Sequence, residues 1–257
     1  AQLQNIYFPV GAEMTAGKPD QKEGIYFGVE HAASHVGVQS GWPMHGKNQW
    51  PEKDVDFSKN TLKYIEELTE LGKYLMSLVA GGLGLDANYF RERFGEEPTT
   101  LFRMFNYPLK NSDDVWGVGE HTDMGFLTIL LQDSKGGLQV KDRSGDWIDA
   151  DPVEDTFVIN IGDMLQHWTG GIHKANLHRV KNTKNSDRQS YPFFFDPGWT
   201  ENLVKIDPKL LRSSEIDEVN TSESPRWDGL DLNSLSSDLK YGDFVWEKIK
   251  NVFPQLS

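Results

Sequence analysis

Apolar side chains recur along this chain with two different periods. Over residues 56–80 they return every three or four positions, which is the spacing of one helix face, and paired glycines follow. Ser58 is a candidate N-cap for this helix, and a second, shorter helix is predicted over residues 86–94. The apolar positions that carry the period are Leu62, Ile65, Leu68, Leu71, Leu75, Leu78 and Val79.

From residue 99 to about residue 196 the pattern changes to short β-rich runs. Turn-forming segments such as SKGG and RSGD separate them. Many short strands at even spacing are typical of a sandwich or barrel. We therefore predict a mainly β fold with flanking helices: a double-stranded β-helix, or jelly roll, with the long helix packed on the outside. The predicted strands cover residues 100–107, 126–131, 138–141, 156–161, 177–180 and 190–196.

No shift in composition marks a linker, so we expect one domain over residues 1–257. Within it, residues 1–56 are predicted to form loops and short strands and residues 57–98 to be helical. Residues 99–198 would form the jelly-roll core. Residues 199–257 would form an acidic cover, rich in serine over 200–232, followed by a helix from about Ser237.

Composition excludes several classes of protein. The net charge of −13, with 39 acidic residues, argues against a nucleic-acid partner, which would need a basic face. No apolar run is long enough to cross a membrane. Because the chain has no cysteine, any metal must be held by His, Asp or Glu. We expect a cytoplasmic, monomeric protein whose partner is a small molecule.

The tripeptide His121-Thr122-Asp123 is the first candidate for chemistry. In an extended strand an imidazole and a carboxylate two residues apart point to the same face. His178 lies in a later β-like run that a jelly roll can place beside it. Two histidines and one carboxylate on one face of a metal are typical of non-haem Fe(II) oxygenases. Taken alone, His178 fits better a packed, hydrogen-bonded histidine than a metal ligand.

Three further histidines lie in the N-terminal segment, at His31, His35 and His45. Pro, Gly and Asn punctuate this segment and predict ordered loops, in which sequence spacing does not place two ligands on one face. We therefore interpret them as structural or surface residues.

Arg188 and Ser190 again share a strand face. A guanidinium beside a hydroxyl is suited to bind a carboxylate through charge-assisted hydrogen bonds. Tyr107, at the end of an early predicted strand, could add a phenolic donor. The alternative is an internal salt bridge between Arg188 and an acidic residue.

Together these motifs resemble a known family. The segments GEHTDMGFLTILLQDSKGGLQV, VINIGDMLQHWTGGIHKANLHRV and RQSYPFFFDPGW are similar to those of the 2-oxoglutarate- and Fe(II)-dependent dioxygenases, in the isopenicillin N synthase-like branch. FRMFNYPL resembles the strand that precedes their metal motif. The resemblance implies His121, Asp123 and His178 as iron ligands. It implies Arg188 and Ser190, assisted by Tyr107, as the residues that bind the distal carboxylate of 2-oxoglutarate.

The activity implied by the resemblance is oxidation of an unactivated C–H bond with Fe(II), 2-oxoglutarate and O2. The outcome would be hydroxylation, desaturation or oxidative cyclisation, with release of succinate and CO2. Ascorbate would serve as reductant, and secondary metabolism is the expected setting. Candidate substrate-pocket residues are Tyr26, Phe27, Arg103, Met124, Phe126, Phe193 and Phe195.

Two departures from the family pattern leave alternatives open. Phe105 stands where plant members often have asparagine, and the family's N-terminal strand and helix are expected to be absent from this chain. One rival is an Fe(II) oxidase or cyclase that works without 2-oxoglutarate, such as an isopenicillin N synthase-like or aminocyclopropane carboxylate oxidase-like enzyme. A second is a non-catalytic binding module on the same barrel. A metal-dependent hydrolase ranks below both, because no general base lies close to the metal motif.

Overall fold

Twelve short strands and five helices make up the part of the chain that the structure, a computed structural model, describes: residues 7–52, 54–109, 116–182, 186–211 and 229–252. The strands are β1 Tyr7–Phe8, β2 Met14–Thr15, β3 Lys18–Pro19, β4 Glu23–Gly28, β5 Thr99–Tyr107, β6 Trp116–His121, β7 Leu127–Gln132, β8 Leu138–Lys141, β9 Trp147–Asp149, β10 Val158–Ile161, β11 His178–Lys181 and β12 Arg188–Asp196. The helices are α1 Val36–Gln39, α2 Val55–Gly82, α3 Tyr89–Arg93, α4 Asp163–Trp168 and α5 Tyr241–Val252, with a 3-10 turn at Pro208–Leu210.

Two antiparallel sheets form the barrel. The larger has the order β1-β4-β5-β12-β7-β10 and the smaller the order β6-β11-β8-β9, while β2 and β3 form a separate hairpin. Neighbouring strands are mostly distant in sequence, so the chain passes back and forth between the sheets. This arrangement confirms the predicted jelly roll.

Helix α2 packs on the outside of the larger sheet, where it contacts β5, β7 and β12. Its buried stripe includes Ile65, Leu68 and Met76, in agreement with the three- and four-residue period. The predicted cap was wrong, because the carboxylate of Asp54 accepts the Phe57 N–H at 2.9 Å and begins the helix. Ser58 instead lies in the first turn and bonds to the Val55 carbonyl.

Several short elements differ from the sequence prediction. Strand β9 and helices α1 and α4 are too short to show a period, and strand β6 is interrupted by Gly117 and Gly119; none of the four was among the predicted elements. Helix α5 begins at Tyr241, a few residues after the predicted start. Most of the acidic segment, residues 212–228, lies outside the described residues, so its role as a cover stays a prediction.

Among the described residues, no helix is both long and apolar enough to cross a membrane.

Two glycines of α2 test how tightly the helix packs on the sheet. A Cβ at Gly72 would lie 2.6 Å from the Phe195 ring, whereas one at Gly81 meets nothing within 4 Å. We predict that Gly72→Ala destabilises the fold by about 1–3 kcal/mol through overpacking. The control Gly81→Ala should stabilise it by about 0.5–1 kcal/mol through helix propensity. Urea denaturation measures both; equal effects would show that helix and sheet do not pack closely at Gly72.

Candidate active site

Strands β6 and β11 bring two histidines together at one end of the smaller sheet. His178 is the register partner of His121, and the ring centroids are 4.2 Å apart. The Asp123 Oδ1 atom lies 3.9 Å from His121 Nε2 and 3.6 Å from His178 Nε2. One ligand atom from each of the three residues lies within 4.8 Å of the other two. The predicted triad is therefore assembled in space.

Hydrogen bonds behind the triad orient its three ligand atoms. Each histidine bonds through Nδ1 to the carbonyl two residues before it, His121 to Gly119 at 2.8 Å and His178 to Asn176 at 3.1 Å. With the proton on Nδ1, the lone pair of each Nε2 faces Asp123. Such bonds to the far side of a ligand hold its tautomer and ring orientation in metal sites.

The Asp123 carboxylate is held in the same way. Its Oδ2 accepts from Thr128 Oγ1 at 2.6 Å and from Asn160 Nδ2 at 2.7 Å, which leaves Oδ1 directed at the histidines. Burial alone would raise the pKa of Asp123, but His178, His121 and the two hydrogen bonds outweigh it and lower that pKa. Burial, helped by His178, lowers the pKa of His121 to about 3. A neutral imidazole beside an ionised carboxylate is the state that binds a divalent metal.

Asp123 lies outside the strand in which the sequence pattern placed it. His121 is the last residue of β6, and Asp123 lies in the turn beyond it. The start of α4 fixes this turn, since the Asp163 N–H donates to the Asp123 carbonyl at 2.8 Å and the Met164 N–H to that of Gly125 at 2.9 Å. A helix that the sequence pattern did not predict thus positions the carboxylate.

Arg188 is a buried cation without an anionic partner among the described residues. It is fully buried, and its Nη2 donates to Gln132 Oε1 at 3.2 Å. Its Nε and Nη1 atoms are buried and have no hydrogen-bond partner within the described part of the chain. Tyr107 is its register partner on β5, with the guanidinium 4.9 Å from the ring centroid. Leaving such donors unpaired is costly, so the site fits the carboxylate of a ligand.

A cavity of about 430 Å³ joins the two groups, because the triad and Arg188, Ser190 and Tyr107 all line it. Four of the predicted pocket residues line it as well: Tyr26, Phe27, Arg103 and Met124. Phe27 also stacks on Trp50 at 4.9 Å and belongs to the apolar core.

The other three predicted pocket residues, Phe126, Phe193 and Phe195, are packed in the apolar core and do not line the cavity. Side chains alternate along β12, so those that face inward with Arg188 and Ser190 are Pro192, Phe194 and Asp196. The alternation that pointed to Arg188 and Ser190 also predicts Phe194, and not Phe193 or Phe195, as a pocket residue.

A buried charge cluster of Glu13, Asp20, Lys22 and Arg103 forms one wall of the cavity. Glu13 Oε2 lies 2.6 Å from Lys22 Nζ, while its Oε1 accepts from Arg103 and from the Tyr26 hydroxyl. Lys22 also pairs with Asp20. Arg103, a candidate substrate-pocket residue, lines the cavity and is held in a largely buried ion pair with Glu13. Its partners come from loops without a period, so no sequence signal identified them.

Comparison with known proteins agrees with this site. Residues 97–197 match the 2OG-Fe(II) oxygenase superfamily. The chain is 42% identical, over 97% of its length and 73% of the relative, to a Dictyostelium discoideum protein named "Probable iron/ascorbate oxidoreductase". It is 34% identical to a 1-aminocyclopropane-1-carboxylate oxidase of the same organism, over 96% of the chain and 74% of that protein.

A solved structure shares the fold. A full-length Neurospora crassa protein, crystallised in complex with alpha-KG, superimposes with a TM-score of 0.68 at 31% identity, over 82% of this chain and 70% of that one. The chain therefore belongs to the 2OG-Fe(II) oxygenase superfamily. It is a 2-oxoglutarate-dependent dioxygenase, with Fe(II) as its metal and 2-oxoglutarate as its cosubstrate.

The charge cluster generates a test of stability. Burial alone would raise the pKa of Glu13, but Arg103 and Lys22 outweigh it and lower that pKa. Its contribution to stability is thus present above the ordinary glutamate pKa and is lost as the pH falls through the lowered value. We predict that Glu13→Gln at pH 7 costs about 3–5 kcal/mol, because Arg103 loses its carboxylate partner and Lys22 keeps only Asp20.

The matched control is Glu120→Gln, which removes a partly exposed pair with Lys141 at 3.5 Å. It should change the free energy of unfolding by less than about 1 kcal/mol. Denaturant unfolding at pH 7 measures both variants. A loss at Glu13 as small as that at Glu120 would contradict the role of the cluster.

Proposed function

We propose that His121, Asp123 and His178 bind Fe(II), and that Arg188, Ser190 and Tyr107 bind the distal carboxylate of 2-oxoglutarate. The enzyme then oxidises an unactivated C–H bond of a small molecule and releases succinate and CO2. The observation that carries the proposal is the shared cavity. It is lined at one place by three converging ligand atoms and at another by a buried arginine with unpaired donors.

The residues of the chain supply binding, orientation and a dry site. Fe(II) and 2-oxoglutarate, when bound, supply the chemistry by which O2 is reduced and the substrate oxidised. Arg188 neutralises the distal carboxylate away from water, where a charge-assisted pair is strong. Thr128 and Asn160 keep one carboxylate oxygen of Asp123 occupied, so that the other remains for the metal.

The same cavity limits the substrate. Its volume of about 430 Å³ must hold both 2-oxoglutarate and the molecule to be oxidised, which restricts the latter to a small molecule. Tyr26 and Phe105, together with Phe8 and Phe194, give the cavity aromatic walls. Hydroxylation is the default reaction, whereas desaturation and ring closure need the same ligands. The cytoplasmic location and the monomeric state stay predictions.

The alternative that a direct test must exclude is an Fe(II) oxidase that does not consume 2-oxoglutarate. This alternative is considered because one relative, at 34% identity, is named 1-aminocyclopropane-1-carboxylate oxidase. An arginine and a serine on one strand do not distinguish the two, since such oxidases can retain the pair.

A substrate screen with Fe(II), ascorbate and 2-oxoglutarate decides between them. We predict that succinate forms in proportion to oxidised product, and that product is lost when 2-oxoglutarate is left out. Quantifying succinate and product in the same reactions provides the measurement. Product formed at the same rate without 2-oxoglutarate would favour the alternative.

Two substitutions separate the metal from the cosubstrate. We predict that His121→Ala abolishes Fe(II) binding and turnover, because a two-ligand site remains. Arg188→Ala should leave Fe(II) bound but weaken 2-oxoglutarate by about 30-fold or more, through loss of a buried charge partner. Anaerobic calorimetry with each ligand provides the measurement.

The controls are His173→Ala, outside the triad, and Arg143→Ala, at an exposed position. Both should bind Fe(II) and 2-oxoglutarate as the wild type does. Equal Fe(II) affinity in wild type and His121→Ala would show that the ligand assignment is wrong. A wild-type protein that binds no Fe(II) would favour a non-catalytic binding module.

A further inference from the structure

The three N-terminal histidines that the sequence pattern assigned to structural roles lie in one cluster. Ring centroids are 4.4 Å apart for His31 and His35, 4.7 Å for His31 and His45, and 5.7 Å for His35 and His45. Glu97, from the turn before β5, joins them with its Oε2 at 2.8 Å from His35 Nε2. One ligand atom each from His31, His35 and Glu97 lies within 4.8 Å of the other two.

The backbone around this cluster holds the rings close together. The His31 N–H donates to the Gly46 carbonyl at 3.0 Å, which ties the two ends of the loop. Gly37 lets the His45 ring approach helix α1, since a Cβ there would lie 2.6 Å from His45 Cδ2. Met44, next to His45, has a φ of 63°, an unfavourable conformation for a residue with a side chain. Strain of this kind is concentrated at functional sites.

The nitrogen atoms of the cluster are in a state that can accept a metal. His31 Nδ1 is buried and has no hydrogen-bond partner among the described residues. His45 donates from Nδ1 to the Pro43 carbonyl at 2.8 Å in the tautomer that leaves its Nε2 lone pair available.

We propose that His31, His35 and Glu97 form a second metal site, distinct from the triad at His121, which binds a divalent transition metal and is best suited to zinc. Two imidazoles and one carboxylate are ligands that zinc favours, and a water completes four-coordination. The site joins the loop of residues 31–45 to residue 97, directly before the strand that carries Arg103 and Tyr107. Its role is structural: it fixes the N-terminal loops against the barrel.

Metal binding at His35 requires the loss of one hydrogen bond, which sets its energetic cost. His35 Nδ1 accepts the Gly37 N–H at 3.0 Å, so the Nε2 proton goes to Glu97. A metal on Nε2 requires the other tautomer and removes that cap bond of α1. Loss of one such bond weakens affinity by roughly five- to tenfold, which is small beside the affinity of structural zinc sites.

The experiment uses the full chain with the first site removed by His121→Ala and Asp123→Ala. Zinc is added in excess, the protein is dialysed, and bound metal is counted by elemental analysis. We expect one equivalent of zinc, and none after His31→Gln is added. The control His173→Gln, a histidine outside the cluster, should retain the full equivalent. Wild-type protein should bind two equivalents.

A second variant covers the case in which His31→Gln does not fold. Glu97→Gln changes a side chain that is 70% exposed, so packing is undisturbed, and it too should remove the zinc. Zinc should raise the melting temperature of the His121→Ala, Asp123→Ala protein, and Glu97→Gln should abolish that rise. The proposal is overturned if that protein binds no zinc, or if its one equivalent survives Glu97→Gln.

Discussion

The pairing register of β6 and β11 is the constraint on which the candidate site depends. It places His178 opposite His121, and irregularities in the pairing follow directly after that pair. Because side chains alternate along a strand, a shift of one residue would turn one imidazole to the opposite face. The carbonyls of Gly119 and Asn176, each two residues before a histidine, then orient the rings. Main-chain geometry thus aims both Nε2 atoms before any metal arrives.

Two arginines inside the same barrel differ in how their charge is compensated. Arg103 is buried next to Glu13, with its guanidinium 3.8 Å from the Tyr26 ring centroid, and its charge is compensated within the protein. Arg188, on the neighbouring strand, has no carboxylate partner among the described residues and keeps two unpaired donors. Since a buried cation without a counter-ion is unfavourable, the uncompensated arginine supports the proposed position of the anionic cosubstrate.

Much of the fold could be predicted because its elements have a strong period. Helix α2 carries apolar residues at three- and four-residue steps, although Leu78 among them is exposed, and the long strands β5 and β12 follow turn-forming segments. The triad and the Arg188–Ser190 pair were accessible because residues two apart share a strand face. The same parity would have excluded Phe193 and Phe195, whose rings lie in the core.

What could not be predicted depends on tertiary contacts between segments without a period. Glu13 meets Arg103, and His35 meets Glu97, across long stretches of sequence. Helix α4 is only six residues long, yet its first N–H groups hold the turn that carries Asp123. In each case the two contacting residues meet only when the whole barrel has folded, and nothing in the local sequence indicates the contact.

The most direct test of the central claim is a crystal structure of the full chain with Fe(II) or Mn(II) under anaerobic conditions, read by anomalous scattering. The account predicts a peak at about 2.0–2.2 Å from the Nε2 atoms of His121 and His178 and from Asp123 Oδ1, with both Nδ1 atoms still bonded to main-chain carbonyls. A peak bonded through Nδ1 of either histidine would contradict it, and so would the absence of a peak among these three residues.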